Sequence, residues 1–170
     1  LPASPTAKIE AQLTQALANA DIACVLLHPG VGAADESRID RLIDLVQAAG
    51  AACLIDHDAE LVARLGADGV HLGPDPQAYA HARELLGQEA NIGVACGLSR
   101  HDAIVLAEKG ADYVAFEAPP PDIDGCAELI AWWAEMFVVP CIAWNIDKPD
   151  DAARLASRGA DFVTPSSQIW

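Results

Sequence analysis

The tripeptide Gly-Ala-Asp occurs three times, as Gly66-Ala67-Asp68, Gly110-Ala111-Asp112 and Gly159-Ala160-Asp161. Each copy stands between a helical pattern and a short apolar run. The glycine suits the left-handed position that ends a helix. The small alanine lets the chain turn closely, and the aspartate meets the N-terminal end of a buried strand. The repeat falls after every second helix, so it reports a recurring pair of βα units and carries no catalytic content of its own.

The segments between the copies keep the same alternation. Ser4-Pro5 reads as a helix cap followed by proline at the first helical position, and Ile9, Leu13 and Leu17 recur at helical spacing. Ala23 to Leu27 is an unbroken apolar run of strand length. Ile39, Leu42, Ile43 and Val46 form the next helical stripe, which Gly50 closes. Strands are expected at Ala52–Ile55, Gly69–Leu72, Asn91–Cys96, Asp112–Phe116, Val138–Trp144 and Asp161–Thr164. Helices are expected around Leu61–Leu65 (capped by Asp58), Ala78–Leu86, Asp102–Lys109, Cys126–Met136 and Asp150–Arg158. Apolar runs this continuous imply strands buried on both faces, as in a parallel sheet. Seven strands fit either an eightfold barrel lacking one unit or an open doubly wound sheet. The regular pitch, with no glycine-rich turn after the first strand, favours an α/β (β/α)8 TIM barrel. The expected domain is single, over residues 1–170, without the first strand and last helix.

Composition narrows the function classes. A formal net charge of -15 argues against nucleic acid, which requires a basic patch, and against an anionic membrane surface. It leaves a phosphate ligand open, because local backbone amides outweigh a distant global charge. The five cysteines are odd in number and form no CxxC pair, so neither a disulfide framework nor a zinc knuckle is signalled. Four of them fall inside strand-like runs, as buried reduced thiols of a cytoplasmic protein do. The start, Leu1-Pro2-Ala3-Ser4-Pro5, lacks the basic and apolar regions of a secretory signal.

The phrase Ala67-Asp68-Gly69-Val70-His71-Leu72-Gly73-Pro74-Asp75 resembles the strand-four segment of the thiamine phosphate synthase and TenI barrels. The similarity continues through Ile92–Cys96, Gly110–Val114, Val139–Ala143, Gly159–Asp161 and Ser166–Trp170. The resemblance implies the condensation of an aminopyrimidine methyl diphosphate with a thiazole phosphate, assisted by a magnesium ion. Such chemistry needs carboxylates for a hard cation, and cationic groups or amides for phosphates, at the C-terminal ends of the strands.

Those ends depart from the family's pattern. Its Gln-x-Arg-x-Lys phrase is replaced around His28-Pro29-Gly30, and its Asn-Asp-Arg phrase by Asp56-His57-Asp58. The second metal-binding aspartate falls at Pro76, beside Asp75. Ala95 and Gly97 stand where serine and histidine are expected. Glu117 and the Pro119-Pro120-Pro121 run replace a lysine-bearing loop, and Trp144-Asn145 replaces a phosphate-holding Gly-Gly. The candidate set is therefore Asp56, His57 and Glu117 for catalysis, Asp56 and Asp75 for a divalent metal, and Asn145, Ser166 and Ser167 for phosphate.

Asp56-His57-Asp58 reads two ways. It is a base or metal cluster with Asp75 and Glu117, or Asp58 is a helix cap and His57 an ordinary polar side chain. Trp132 and Trp133, adjacent on a helix, cannot share a face, which hints at a homo-oligomer contact. Trp144 either stacks on a ring-shaped ligand or plugs the vacated phosphate site. Two functional classes follow: a non-catalytic member binding a small phosphorylated heterocycle or a protein, and an enzyme with altered chemistry.

Overall fold

In a computed structural model, the described residues are 5–29, 36–117 and 122–166. Their elements alternate throughout: α1 (Pro5–Asn19), β1 (Cys24–Leu27), α2 (Glu36–Ala48), β2 (Ala52–Asp56), α3 (Ala59–Leu65), β3 (Gly69–Leu72) and α4 (Pro76–Leu86) come first. Then follow β4 (Asn91–Gly97), α5 (Arg100–Glu108), β5 (Tyr113–Phe116), α6 (Ile123–Met136), β6 (Cys141–Ile146), α7 (Pro149–Ser157) and β7 (Phe162–Pro165). The fold class is α/β, that of a (β/α)8 barrel of which seven parallel strands lie among the described residues. Ser4, the Pro119–Pro121 run, Ser167 and Trp170 fall outside those residues.

The chain divides into two compact units. The first comprises residues 1–71 and 82–91. In it β1 pairs with β2, and β2 with β3, all parallel. The face of α2 that is buried consists of Ile39, Leu42, Ile43 and Val46, the stripe expected from spacing. Cys53, Ile55 and Val70 are fully buried with them. Asp58 caps α3, its Oδ1 accepting Leu61 N–H at 2.8 Å, and Gly66 closes that helix in the left-handed conformation. Cys24 is exposed, unlike the other four cysteines; among the described residues of this unit β1 pairs with β2 alone.

The second unit comprises residues 72–81 and 92–170. In it β4, β5, β6 and β7 pair in sequence order, all parallel. Trp133 and Phe116 are its largest buried side chains, meeting edge-on at 5.6 Å. The Trp133 indole N–H donates to Val139 O at 2.7 Å. That bond, and the full exposure of Val138, explain why β6 begins at Cys141 and not at the expected Val138. Trp132 is half-buried, with the Arg100 guanidinium 4.4 Å from its ring centroid.

The three Gly-Ala-Asp aspartates act alike. Asp68 N–H donates to Cys53 O at 2.8 Å while its Oδ2 accepts Cys53 N–H at 2.7 Å. Asp112 does the same to Ile92, at 3.0 and 2.7 Å. Asp161 does the same to Cys141, at 3.0 and 2.8 Å. Each aspartate thus clamps the first residues of the strand before it, joining β2 to β3, β4 to β5 and β6 to β7. A charged acceptor on a strand amide is a strong hydrogen bond, and without it that amide loses its partner. The period of two βα units seen in the sequence is the period of this clamp.

Candidate functional site

In the first unit the strand ends gather histidines around one carboxylate. His28 follows β1, Asp56 ends β2, and His71 lies opposite Asp56 in β3. His28 Nδ1 meets Asp56 Oδ2 at 2.9 Å, and His57 Nε2 stands 3.6 Å from Asp56 Oδ1. His57 has φ 57°, a left-handed conformation uncommon outside glycine, and its N–H donates to His71 O at 2.9 Å. His71 is buried, and that burial pushes its imidazole down to about 4 against the pull of Asp56. It is a neutral spacer at pH 7. His28 and His57 are exposed, so Asp56 holds an exposed imidazole with its Nε2 unengaged among the described residues. A carboxylate orienting an imidazole is an arrangement suited to proton transfer.

In the second unit the strand ends bring Glu117 and Asn145 together. Asn145 Nδ2 donates to Glu117 Oε1 at 2.8 Å, and Glu117 N–H donates to Gly97 O at 3.1 Å. Both flanking strands are irregular there, with register shifts between Ala95 and Gly97 and between Ala143 and Ile146. Gly97 and Asn145 are left-handed, with φ 54° and 61°. Ser166 is buried and its N–H donates to Ile146 O at 3.0 Å. Trp144 is half-buried in β6. Asp75 Oδ1 accepts Gln77 N–H at 2.8 Å and Asp75 O accepts Tyr79 N–H at 3.0 Å, so this residue opens α4.

Sequence reasoning named Asp56, His57, Glu117 and Asn145 but missed His28 as the partner of Asp56, and missed the Glu117–Asn145 bond. A signal existed: each pair is 28 residues apart, about one βα repeat. Polar residues at that offset after successive strands lie side by side. The buried thiols of Cys53, Cys96 and Cys141 are pushed up to about 12, 12 and 11 by burial, so they supply no nucleophile.

Residues 3–169 match the family model described as thiamine monophosphate synthase. The chain belongs to that family. It is 40% identical over 167 residues to the thiamine-phosphate synthase of Rhodospirillum centenum, covering 93% of this chain and 80% of that protein. It is 40% identical over 152 residues to the thiamine-phosphate synthase of Erythrobacter litoralis, covering 80% and 70%. Among solved structures, thiamine phosphate pyrophosphorylase from Pyrococcus furiosus superposes with a TM-score of 0.76 at 22% identity, covering 93% of this chain and 79% of that one. At that identity the match speaks for the fold.

A magnesium ion, which the family resemblance implies, does not fit the described residues. Imidazoles bracket Asp56, and a hard cation takes oxygen ligands. Among the described residues no group of three or more His, Cys, Asp or Glu is arranged to hold a metal ion. Cations are also sparse at the strand ends. All ten Lys and Arg residues lie in helices or at helix caps, and none is on a strand. Arg100, at the start of α5, is stacked on Trp132, and Lys148 caps α7 without a side-chain cap bond.

Proposed function

We propose that this chain is a member of the thiamine monophosphate synthase family that retains the family's fold and binds a small heterocyclic ligand without condensing two substrates at the family's ordinary rate. The carrying observation is the scarcity of cations at the strand ends, where a transferred diphosphate requires positive charge: Lys148 follows β6 and Arg100 opens α5 stacked on Trp132, while the segments after the other strands hold neither Lys nor Arg in the sequence. Of the phosphate candidates, the Ser166 N–H is committed to Ile146 O, and one Asn145 N–H to Glu117. Loss of a single oxyanion donor costs on the order of a hundredfold or more in rate, and here the charged members are replaced together.

The pairing of His28 with Asp56 favours one second reading, an enzyme with altered chemistry. There Asp56 and His57 serve a proton transfer in which His28 takes part. Thermal shifts with thiazole phosphate, aminopyrimidine diphosphate and thiamine phosphate, run beside a condensation assay, test the main reading. A rise in Tm with one of them and no product supports it. Product at the rate of an ordinary synthase overturns it, as does the absence of any shift.

A further inference from the structure

We propose that the outer side of α6 in the second unit is a docking surface for a second copy of this chain. Trp132, with Arg100 stacked on it, meets the same patch of the other copy, and Arg100 pairs there with Glu128 or Glu135. The proposal is independent of the ligand-binding reading above.

Trp133 is buried, so its neighbour Trp132 is turned toward the outer side of the helix, where it is half-buried. Its ring is held edge-on by Trp133 at 5.9 Å and by Phe137 at 5.5 Å. The Arg100 guanidinium lies over it, 4.4 Å from the centroid. One helical turn further on, Met136 is 65% exposed, and Val138 beyond it is 99% exposed. Tryptophan, methionine and arginine are the residue types that gather where two chains meet. A ring and a guanidinium already fixed against their neighbours lose little freedom on association.

Charge selects the occupant. Stacking engages the flat face of a guanidinium and leaves its in-plane N–H groups for a carboxylate. Among the described residues Arg100 has no ion pair. Glu128 stands four residues before Trp132 on α6 and Glu135 three residues after, so both flank it. Both are exposed, and among the described residues neither has an ion pair. A two-fold interface joins a patch to itself, so it needs both signs of charge within one patch, as here. A purely acidic partner would meet Glu128 and Glu135 beside Arg100, whereas a second copy offers those same carboxylates to Arg100. The net charge of -15 opposes approach, but at physiological salt it is screened over about 8 Å, and the short-range contacts decide.

The test is sedimentation of the full chain at physiological salt, over concentrations on the order of 1 to 300 μM, the range of a weak protein–protein contact. Wild type is expected to rise reversibly in mass from one chain toward two. Val138→Glu and Arg100→Glu, both at exposed positions, are each expected to weaken association about tenfold or more and to leave Tm unchanged. Reversing the partner charge as well, with Arg100→Glu plus Glu128→Arg or Arg100→Glu plus Glu135→Arg, is expected to restore the dimer in one of the two pairs. A chain that stays monomeric throughout overturns the proposal. So does association that survives Val138→Glu or Arg100→Glu, which would lie on another face, and so does failure of both charge reversals to restore it.

Discussion

Replacing Asp68 by alanine removes one half of a clamp and leaves its strand partner unpaired. Asp68 Oδ2 accepts Cys53 N–H at 2.7 Å and Gln47 Nε2–H at 3.2 Å. Cys53 is fully buried, so its amide has no water to turn to. A hydrogen bond to a charged acceptor contributes roughly 1.5–3 kcal/mol, and a buried orphan amide costs about 1–3 kcal/mol. These overlap, because both describe the same amide, so the expected loss is about 2–3 kcal/mol. For a chain of this size that lowers Tm by roughly 5–10 °C. Asp68→Asn keeps an acceptor and is expected to lose less than half as much. Asp44→Ala, on the exposed side of α2, is expected to stay within about 0.5 kcal/mol of wild type. Urea unfolding gives the free energies, and hydrogen exchange at the Cys53 amide reports the local opening. If Asp68→Ala unfolds with the wild-type midpoint and slope, the clamp is an ornament of the backbone and the reasoning fails.

Two further outcomes follow from named contacts. A Cβ at Gly69 would meet Asn91 O at 1.9 Å, a backbone atom that cannot step aside. Gly69→Ala should therefore destabilise by about 3 kcal/mol or more, whereas Gly87→Ala, in open space at φ 79°, should cost only about 1 kcal/mol; soluble yield and Tm separate the two. Burial holds His71 at about 4, below its ordinary 6.5, so the unfolded chain binds more protons between those values. Stability at His71 is whole above pH 6.5 and falls as pH drops toward 4, by up to about 3 kcal/mol. His71→Gln should flatten the difference between urea midpoints at pH 7 and pH 4.5, and an unchanged difference contradicts the assignment.

The fold was legible where local rules decide it. The helix α2 shows this: spacing alone selects Ile39, Leu42, Ile43 and Val46, and these are the residues it buries. Asp58 and Gly66 likewise cap α3 as their types require. Legibility ended where a partner lies far along the chain. The Asp68 carboxylate finds an amide 15 residues earlier, and those of Asp112 and Asp161 find amides 20 residues earlier. Nothing local marks those acceptors. The early start expected for β6 failed through a nearer partner, since Val139 O accepts the indole N–H of Trp133 six residues before it. At the candidate site the residue types were readable, but their pairing was not. His28 reads as a loop residue until β1 and β2 are in register, and Asn145 reads as a phosphate donor until its amide is found on Glu117.

The central proposal is that this family member does not run the family's condensation at the ordinary rate. Its most direct test is kcat/KM for the full chain with aminopyrimidine methyl diphosphate, thiazole phosphate and magnesium, measured beside an ordinary thiamine-phosphate synthase. The account predicts a value lower by about a thousandfold or more, since removal of one oxyanion donor alone costs about 100- to 1,000-fold. A value within about tenfold of the ordinary enzyme would contradict it, and would mean that phosphate is handled with the few cations that follow the strands, Arg100 and Lys148.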